Sequence, residues 1–323
     1  MSFGEQAAAT GRPAEAPALV EVVREGLSDP AQKWLPASLL YDELGSALFD
    51  AITLLPEYGL TRADQRVLTR AAAELPHLAP NLGLAVELGS GSGSKTRPLL
   101  ESLGWPEYVA IDVSRAALGR CKRDLALSDR QAHFLEMSYL DGLAAARNLH
   151  SSPGRRLVLF LGSTIGNFRP AERTEFLRQV RQLLNPADLL LIGFDLVKPA
   201  EQLLPAYDDP IGLTAAFNRN VLGRLNRELG ADFPLQEFAH EARWNSGERR
   251  IEMHLRCRQR RRVSIPGASL VVEMAPEETI WTESSYKFLP EELPKLAEQA
   301  GFRQVAEWED RQWPFVEALW LAG

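Results

Sequence analysis

Short apolar runs, separated by segments of helical spacing, dominate the middle of the chain. Five of them are strand-like: residues 82–88, 108–112, 132–137, 157–161 and 188–195. The run 157–161 is apolar at every position, which is typical of a strand buried on both faces. Strands that alternate with helices in this way predict a parallel, three-layer α/β sheet.

The pattern changes after residue 198. Residues 199–230 have helical spacing, and two strand-like arms, 236–245 and 248–256, flank an Asn-Ser-Gly turn signal. Residues 290–323 return to one helix and two strands, which we expect to form an antiparallel hairpin at the edge of the sheet. We therefore predict an α/β domain of residues 63–198 and 287–323, a smaller α+β domain of residues 18–62 and 199–286, and a disordered tail over residues 1–17.

Three local patterns give further expectations. A helical segment over 39–53 and the turn after it are predicted to bury four apolar residues at helical spacing: Leu44, Leu48, Ile52 and Leu55. Thr61 followed by Asp64 predicts the start of a helix. The basic run 256–262 alternates with apolar positions, which favours the two arms of a solvent-facing hairpin over an anion-binding patch.

The composition is that of an ordinary globular enzyme, with 323 residues, 45% of them hydrophobic and 24% charged. The net charge of −7 argues against broad nucleic-acid binding, and no apolar run approaches the ~20 residues that span a membrane. The only two cysteines, Cys121 and Cys257, lie far apart, so the sequence offers neither a disulfide framework nor a metal-binding pattern. We expect a monomeric enzyme of the reducing cytoplasm, with no metal, nucleic-acid or membrane partner.

A glycine-rich turn stands between the first apolar run and the next helical segment. Residues 86–96 are Val-Glu-Leu-Gly-Ser-Gly-Ser-Gly-Ser-Lys-Thr, with glycines at 89, 91 and 93. Such a turn lets the backbone approach a ligand and directs free amide groups and the positive end of a helix at anionic oxygens. The acid Glu87 before the glycines is typical of sites that hold S-adenosylmethionine. Asp112, at the end of the next strand, stands where a ribose hydroxyl pair would be bound.

Three other interpretations of this turn stay open at this point. A phosphate-binding P-loop misses its pattern by one position, because Ser94 stands where the last glycine should be. A nicotinamide-binding enzyme and a purely structural turn are the other two. The strand-end acid Asp112 favours a site for a ribose over a P-loop, and the acid Glu87 before the glycines is more typical of a methyl-donor site than of one that holds a pyrophosphate.

Longer motifs resemble the histidine Nα-methyltransferases of ergothioneine biosynthesis. They lie at residues 41–53, 56–62, 87–97, 162–167, 217–222, 243–246, 251–253 and 282–288, within a resemblance that spans residues 37–320. The resemblance implies a Rossmann-like class I methyltransferase sheet, S-adenosylmethionine as methyl donor and S-adenosylhomocysteine as its product. It also implies three successive transfers to L-histidine, through its mono- and dimethyl forms, to give hercynine.

The resemblance carries site residues with it. Those implied for the acceptor are Asn167, Tyr207 and Tyr58 at the carboxylate, Glu283, Ser285 and Met253 at the imidazole, and Tyr41 near the α-amine. Those implied for the cofactor are Glu87, Gly89, Gly91, Gly93, Lys95, Asp112, Ser138, Tyr139 and Gly162. Tyr41 and Asn167 are the expected catalytic residues, and the position of Asn167 after the run 157–161 is one that faces the ligand crevice in a parallel sheet. A site that pairs both imidazole nitrogens should reject apolar side chains, because its own polar groups would be left unpaired.

Two positions depart from the family pattern. Gly59 stands where many members have a second tyrosine, and Ser138 stands where an aspartate usually contacts the adenine, with Asp141 three residues further on. Two other functions stay open. One is a family member that methylates another amine, such as tryptophan, tyramine or a thiolated histidine, and the other is an inactive module that only binds the cofactor.

Overall fold

The computed structural model describes residues 16–126, 132–149 and 154–323, and these residues form two units. The first, here named the tyrosine unit, consists of residues 16–59 and Lys198–Tyr286. The second, the glycine-turn unit, consists of the described residues of Leu60–Val197 and of Lys287–Gly323. The tail predicted over residues 1–17 lies, as far as residue 15, outside the described residues.

The secondary structure follows the apolar patterns of the sequence. The strands are β1 (Lys33–Trp34), β2 (Leu82–Leu88), β3 (Glu107–Asp112), β4 (Ala132–Glu136), β5 (Arg155–Phe160), β6 (Leu189–Asp195), β7 (Phe238–Asn245), β8 (Arg250–Cys257), β9 (Arg261–Ile265), β10 (Leu270–Met274), β11 (Thr279–Tyr286), β12 (Phe302–Asp310) and β13 (Phe315–Ala322). The α-helices are α1 (Ala16–Ser28), α2 (Glu43–Ile52), α3 (Gly59–Leu78), α4 (Arg97–Ser102), α5 (Arg115–Leu125), α6 (Tyr139–Leu149), α7 (Pro170–Leu183), α8 (Ala200–Tyr207), α9 (Leu213–Leu229) and α10 (Leu293–Gln299). No helix in the described part of the chain is long and apolar enough to cross a membrane.

The glycine-turn unit contains a seven-stranded sheet in the order β12-β13-β6-β5-β2-β3-β4. The five strands from β4 to β6 are parallel, whereas β13 runs antiparallel to β6 and β12 antiparallel to β13. Each strand predicted in the middle of the chain is present, with ends that shift by at most two residues. The α/β class and the antiparallel C-terminal hairpin are thereby confirmed.

Both faces of this sheet are covered. Because side chains alternate along a strand, β2 sends Leu84 and Val86 into a large core and Ala85 into a smaller one. The smaller core is closed by Leu118 and Cys121 of α5. Burial on both faces explains why the strands are continuously apolar, and it leaves the carboxyl ends of the strands as the place for polar residues.

The tyrosine unit is α+β, as predicted. Its four-stranded sheet has the order β1-β11-β8-β7, in which β1 is parallel to β11 and the other pairs are antiparallel. A separate two-stranded ribbon pairs β9 with β10. Helix α9 contributes a long buried face that includes Phe217, Asn218 and Val221.

One of the four apolar residues expected in the core near α2 is not there. Ile52 and Leu55 are buried and Leu48 is half-buried, but Leu44 is 51% exposed. The helix turns Gly45 inward in its place, and a Cβ on that glycine would lie 1.7 Å from the Leu40 carbonyl oxygen. The helix therefore approaches its neighbour too closely at this point for the buried stripe to run through Leu44.

The helix start predicted at Thr61 is also wrong. Helix α3 begins at Gly59, so Thr61 lies inside its first turn. Asp64, the expected partner in the cap, instead pairs through Oδ2 with Lys95 Nζ at 2.7 Å. The capping pattern was therefore coincidental.

The hairpin predicted around the basic run is wrong as well. The two arms belong to different sheets, because β8 is already paired on both edges by β7 and β11, while β9 pairs with β10. The basic side chains on either side are engaged locally, Arg256 with Glu277 at 2.7 Å and Arg261 with Glu237. These pairs favour a surface ion-pair role for both arginines.

Candidate functional site

The glycine turn joins β2 to α4, and its glycines meet two structural requirements, close packing and an exposed backbone. All three of its glycines have positive φ, between 52° and 78°. A Cβ on Gly93 would lie 2.8 Å from Cys121 Sγ, so the absence of a side chain there allows the turn to pack on α5. A Cβ on Gly91 would meet nothing within 4 Å, so this part of the turn faces open space. The backbone at Gly91 is therefore accessible to a ligand.

Glu87 supports the turn from within the core. Its Oε1 accepts a hydrogen bond of 2.6 Å from Thr96, the residue before α4, and its Oε2 accepts one from the Tyr108 hydroxyl of β3. Burial raises the pKa of Glu87 to about 7, and the two hydroxyl donors only partly offset this effect. The side chain is 3% exposed. Glu87 therefore ties the two ends of the turn together.

Asp112 reaches the open part of the turn from the end of β3. Its Oδ2 accepts from the Gly91 backbone amide at 3.1 Å, and its Oδ1 accepts from that of Ser114 at 2.8 Å. Burial raises the pKa of this carboxyl group. The structure thus brings together the glycines and the strand-end acid that the sequence singled out separately.

Lys95 and Gly162 also come together. The Lys95 ammonium pairs with Asp64 of α3 and lies 3.3 Å from the place where a Cβ on Gly162 would be. In a P-loop, the residues at the positions of Lys95 and Thr96 would serve phosphate and magnesium. Here the lysine ion-pairs with the buried Asp64 and the threonine donates to Glu87. This arrangement disfavours the P-loop interpretation.

A further buried acid stands behind Lys95. Glu317 of β13 is fully buried and faces Asp64. Burial, and then the charge of Asp64, raise the pKa of Glu317 well above its ordinary value. The folded protein therefore favours the protonated form of Glu317 beside Asp64. Sequence reasoning missed Glu317 and gave Asp64 only a capping role; an acid within the apolar final strand was the available signal for Glu317.

Ser138 and Tyr139 lie where β4 leads into α6. The Ser138 hydroxyl donates to Asp141 Oδ2 at 2.7 Å and accepts from the Asp141 amide at 3.2 Å, so it holds the first turn of α6. The Tyr139 ring packs edge-on against Phe160, and its hydroxyl lies 3.4 Å from the Cβ position of Gly89. Tyr139 therefore borders the glycine turn directly.

Asn167 ends a single helical turn, Thr164–Asn167, that follows β5. It is half-buried at the carboxyl end of the parallel strands, as predicted. The preceding Ser163 accepts a hydrogen bond of 2.9 Å from the Asp195 backbone amide, which fastens the segment to the end of β6. The amide of Asn167 is thus carried on a fixed segment.

In the tyrosine unit, aromatic contacts connect the three predicted tyrosines. Tyr41 packs edge-on against Phe49 and Phe217 at centroid distances of 5.5 and 5.4 Å. Phe49 is 6.1 Å from Tyr58, which in turn lies 6.3 Å from Tyr207. These residues come from four separate segments, and packing alone brings them into one cluster.

The remaining predicted acceptor residues adjoin this cluster. The Tyr207 and Ser285 hydroxyl oxygens are 2.8 Å apart. In the pairing of β11 with β8, Glu283 stands opposite Met253 and Ser285 opposite Ile251. Side chains two apart on a strand share a face, so Glu283 and Ser285 point to the same side as Met253.

A β-bulge that the sequence did not reveal sets this arrangement. Trp281 pairs with His254 and Glu283 pairs with Met253, so Thr282 is an extra residue in β11. Trp281 and Tyr286, five positions apart, consequently share a face, and both rings contact the Arg250 guanidinium. Thr282 falls on the other face with Glu283, and its side chain contacts Asn218 of α9.

Comparison with known proteins places the chain in a family. Residues 19–322 match the family described as histidine-specific methyltransferase, SAM-dependent. A histidine N-alpha-methyltransferase of Mycolicibacterium smegmatis is 43% identical over 310 residues, which cover 91% of this chain and 92% of that protein. One of Mycobacterium tuberculosis is 42% identical over 293 residues, covering 89% and 90%. Ergothioneine biosynthesis protein 1 of Neurospora crassa is 32% identical over 289 residues, which are 85% of this chain and 32% of that protein. The chain therefore belongs to the S-adenosylmethionine-dependent, histidine-specific methyltransferase family.

Proposed function

We propose that this protein transfers three methyl groups in succession from S-adenosylmethionine to the α-amine of L-histidine. Mono- and dimethylhistidine are the intermediates and hercynine is the product. The observation that carries the proposal is the family match over residues 19–322, supported by 43% identity to a histidine N-alpha-methyltransferase. A role in ergothioneine biosynthesis is suggested by the name of the relative in Neurospora crassa.

The residues of the glycine-turn unit fit the methyl donor. The turn is open at Gly91, and the Asp112 carboxylate stands beside it, where it suits a pair of ribose hydroxyls. We assign Lys95, Gly162 and the three turn glycines to the amino-acid end of the cofactor, and Ser138 and Tyr139 to the adenine. Glu87 acts indirectly, because its hydrogen bonds with Thr96 and Tyr108 hold the turn in place. When bound, S-adenosylmethionine supplies a methyl group made electrophilic by its sulfonium.

The residues of the tyrosine unit fit an amino acid with an imidazole side chain. We assign Glu283 to one imidazole N–H and Ser285 to the other nitrogen, since a carboxylate accepts and a hydroxyl can do either. Met253, opposite Glu283, supplies an apolar contact for the ring. We assign the substrate carboxylate to Tyr207 and Tyr58, and also to Asn167.

In this reaction the protein has mainly to orient the α-amine for attack on the methyl group. The nucleophile is the neutral α-amine, which must lose a proton before each transfer, and a nearby cationic sulfonium favours the neutral form. We propose that Tyr41 orients the amine lone pair between rounds and that Asn167 fixes the substrate for in-line attack. Tyr41 is held for this role by its packing on Phe49 and Phe217.

The test combines binding and turnover. Protein loaded with S-adenosylhomocysteine is titrated calorimetrically with histidine, dimethylhistidine and tryptophan, and reactions with S-adenosylmethionine are followed by mass spectrometry. Preferential binding of the histidine compounds, with mass gains that end at three methyl groups, is the expected result. Methylation of another amine without histidine binding would remove the substrate claim, and cofactor binding with no turnover on any amine would indicate an inactive module.

We further propose that the enzyme acts as a monomer in the cytoplasm. Cys121 and Cys257 are both buried free thiols, a state that a reducing compartment preserves. The net charge of −7 suits a partner that is a free small molecule better than nucleic acid. Light scattering of the purified protein tests the monomer, and a mass twice that of the 35.9 kDa chain would contradict it.

A further inference from the structure

A buried polar network lies behind the acceptor residues of the tyrosine unit. Its centre is Asn218 of α9, which is fully buried. The Asn218 Nδ2 lies 2.9 Å from His240 Nδ1 on β7 and 3.1 Å from the His254 carbonyl oxygen on β8. The Asn218 Oδ1 lies 2.6 Å from the Thr282 hydroxyl on β11. One side chain thus connects three strands of the sheet to the helix that covers it.

The donors and acceptors of this network allow one orientation of the Asn218 amide and one tautomer of His240. A carbonyl oxygen only accepts, so the amide nitrogen of Asn218 must face His254 O and its oxygen must face Thr282. The second Nδ2 hydrogen then goes to His240 Nδ1, which must be unprotonated. The His240 proton is therefore on Nε2, and it is donated to the Tyr207 carbonyl oxygen at 2.7 Å.

Thr282 connects this network to the bulge in β11. It is the extra residue that the bulge inserts before Glu283. Its hydroxyl donates to Asn218 Oδ1 and also lies 3.0 Å from the Met253 carbonyl oxygen. Without the bulge, every residue of β11 after Thr282 would face the other side of the strand, and Glu283 would leave the face it shares with Met253.

We propose that Asn218, His240 and Thr282 are positioning residues for the acceptor site. His240 Nε2 donates to the Tyr207 carbonyl oxygen and so fixes that backbone, while Thr282 donates to Asn218 Oδ1 and so holds the bulge that sets the direction of Glu283. None of the three contacts the substrate in this proposal. It rests on the proposed function in that Tyr207, Met253 and Glu283 are taken to bind the histidine substrate.

The same network gives acceptor binding a dependence on pH. The groups that face His240 are Asn218, the Tyr207 carbonyl, Asp208, whose Oδ1 is 3.8 Å from Nε2, and more distantly Asp209 and Arg219. Burial lowers the pKa of His240 more than the carbonyl and the two acids raise it. The network is therefore complete above the ordinary histidine pKa and is lost as pH falls through the lowered folded value. A protonated Nδ1 would point a hydrogen at the hydrogens of the Asn218 amide.

The first experiment compares Thr282→Val with Thr282→Ser. Valine keeps the shape and leaves Asn218 Oδ1 without its donor, whereas serine keeps the hydroxyl. For Thr282→Val we expect histidine affinity for the S-adenosylhomocysteine-loaded protein to fall about three- to tenfold, the effect of one lost hydrogen bond. Thr282→Ser should stay within about twofold of the wild type, and S-adenosylhomocysteine affinity should be unchanged in both. Equal histidine affinity in the valine and serine variants would overturn the proposal.

The second experiment uses pH as a readout that a merely structural role would not change. Glutamine at position 240 keeps an N–H donor for Tyr207 O but cannot be protonated. The ratio of wild-type to His240→Gln affinity cancels the titration of the histidine ligand itself. We expect this ratio to fall about three- to tenfold as pH is lowered from about 7.5 through the lowered pKa of His240. A ratio that stays constant down to the lowest pH at which both proteins remain folded would overturn the proposal.

The two failures are distinguishable. If the wild type binds tryptophan and not histidine, the proposed function is wrong, and both comparisons are then made with tryptophan as ligand. A valine variant that again matches the serine variant would overturn the positioning role independently of the substrate.

Discussion

The glycine-turn unit and the tyrosine unit assemble their predicted binding residues in opposite ways. In the first, most of the predicted cofactor residues lie in one continuous stretch from Glu87 to Thr96. Three of them are glycines, which present only backbone to a ligand. In the second, the residues are side chains at 41, 58, 207, 253, 283 and 285, brought together from segments that lie far apart in the chain. A site made of backbone depends on conformation, whereas a site made of side chains depends on packing and register.

The two regions also differ in charge. Around the glycine turn, the acids Glu87, Asp64 and Glu317 are buried near the ammonium of Lys95. Around the tyrosines, the groups in contact are hydroxyls, aromatic rings and the imidazole of His240, and the acid among the predicted acceptor residues is Glu283. We therefore expect pH to act on the stability of the first region through carboxyl groups and on the binding properties of the second through His240.

The largest effect should come from the backbone of the glycine turn. In Gly93→Ala the new methyl group lies 2.8 Å from Cys121 Sγ at a φ of 70°, so overpacking adds to backbone strain and stability should fall by about 2–5 kcal/mol. Gly91→Ala meets open space at a φ of 52° and should lose only about 1–2 kcal/mol. Denaturant unfolding measures the difference.

Cofactor binding should rank the same pair in the opposite order. The Gly91→Ala methyl group projects into the space that a ligand would occupy. This variant should therefore lose more S-adenosylhomocysteine affinity than Gly93→Ala, although it loses less stability. Calorimetry on the folded fraction makes the comparison. Equal losses of stability in the two variants would contradict the packing role of Gly93.

Next in size is the pH dependence of stability caused by Glu87. Its folded pKa of about 7 is above the ordinary value of 4.5, so the folded state prefers the protonated form. The associated stability is complete below the ordinary value and is lost as pH rises through about 7, an effect on the order of 3 kcal/mol. Glu87→Gln is neutral at every pH and should remove this loss. Parallel pH profiles of unfolding free energy for wild type and variant would exclude the effect.

On the acceptor side we expect a smaller effect confined to binding. Glu283→Ala should weaken histidine binding by about 10- to 100-fold, the contribution of a hydrogen bond to a charged group, and leave S-adenosylhomocysteine affinity unchanged. Glu283→Gln is the matched control, because it keeps the shape and one acceptor oxygen and should lose less. Unchanged histidine affinity in Glu283→Ala would break the imidazole assignment, whereas a loss of cofactor affinity would indicate a general structural role.

The same contrast decides what the sequence could predict. The parallel sheet and the glycine turn were predicted from local patterns, because apolar runs and glycines act within a few residues of one another. The acceptor residues required a family resemblance, since no local pattern connects Tyr41 to Tyr207. The bulge at Thr282 was missed because one inserted residue changes the face of a strand without changing its composition. Leu44 was misplaced for a related reason: the close approach at Gly45 overrides the apolar spacing.

The smallest expected effect belongs to Tyr41, and it separates orientation from binding. Tyr41→Phe keeps the ring packing on Phe49 and Phe217 and removes only the hydroxyl. We expect one or more of the three methylations to slow by about three- to tenfold, as the loss of one hydrogen bond allows, with S-adenosylhomocysteine affinity unchanged. Time-resolved mass spectrometry of the mono-, di- and trimethyl products locates the slowed step, and Tyr58→Phe serves as the comparison within the same aromatic cluster. Tyr41 would lose its proposed role if its variant reached the trimethyl product at the wild-type rate, because the tyrosine unit would then contribute packing at this position and no orientation of the amine.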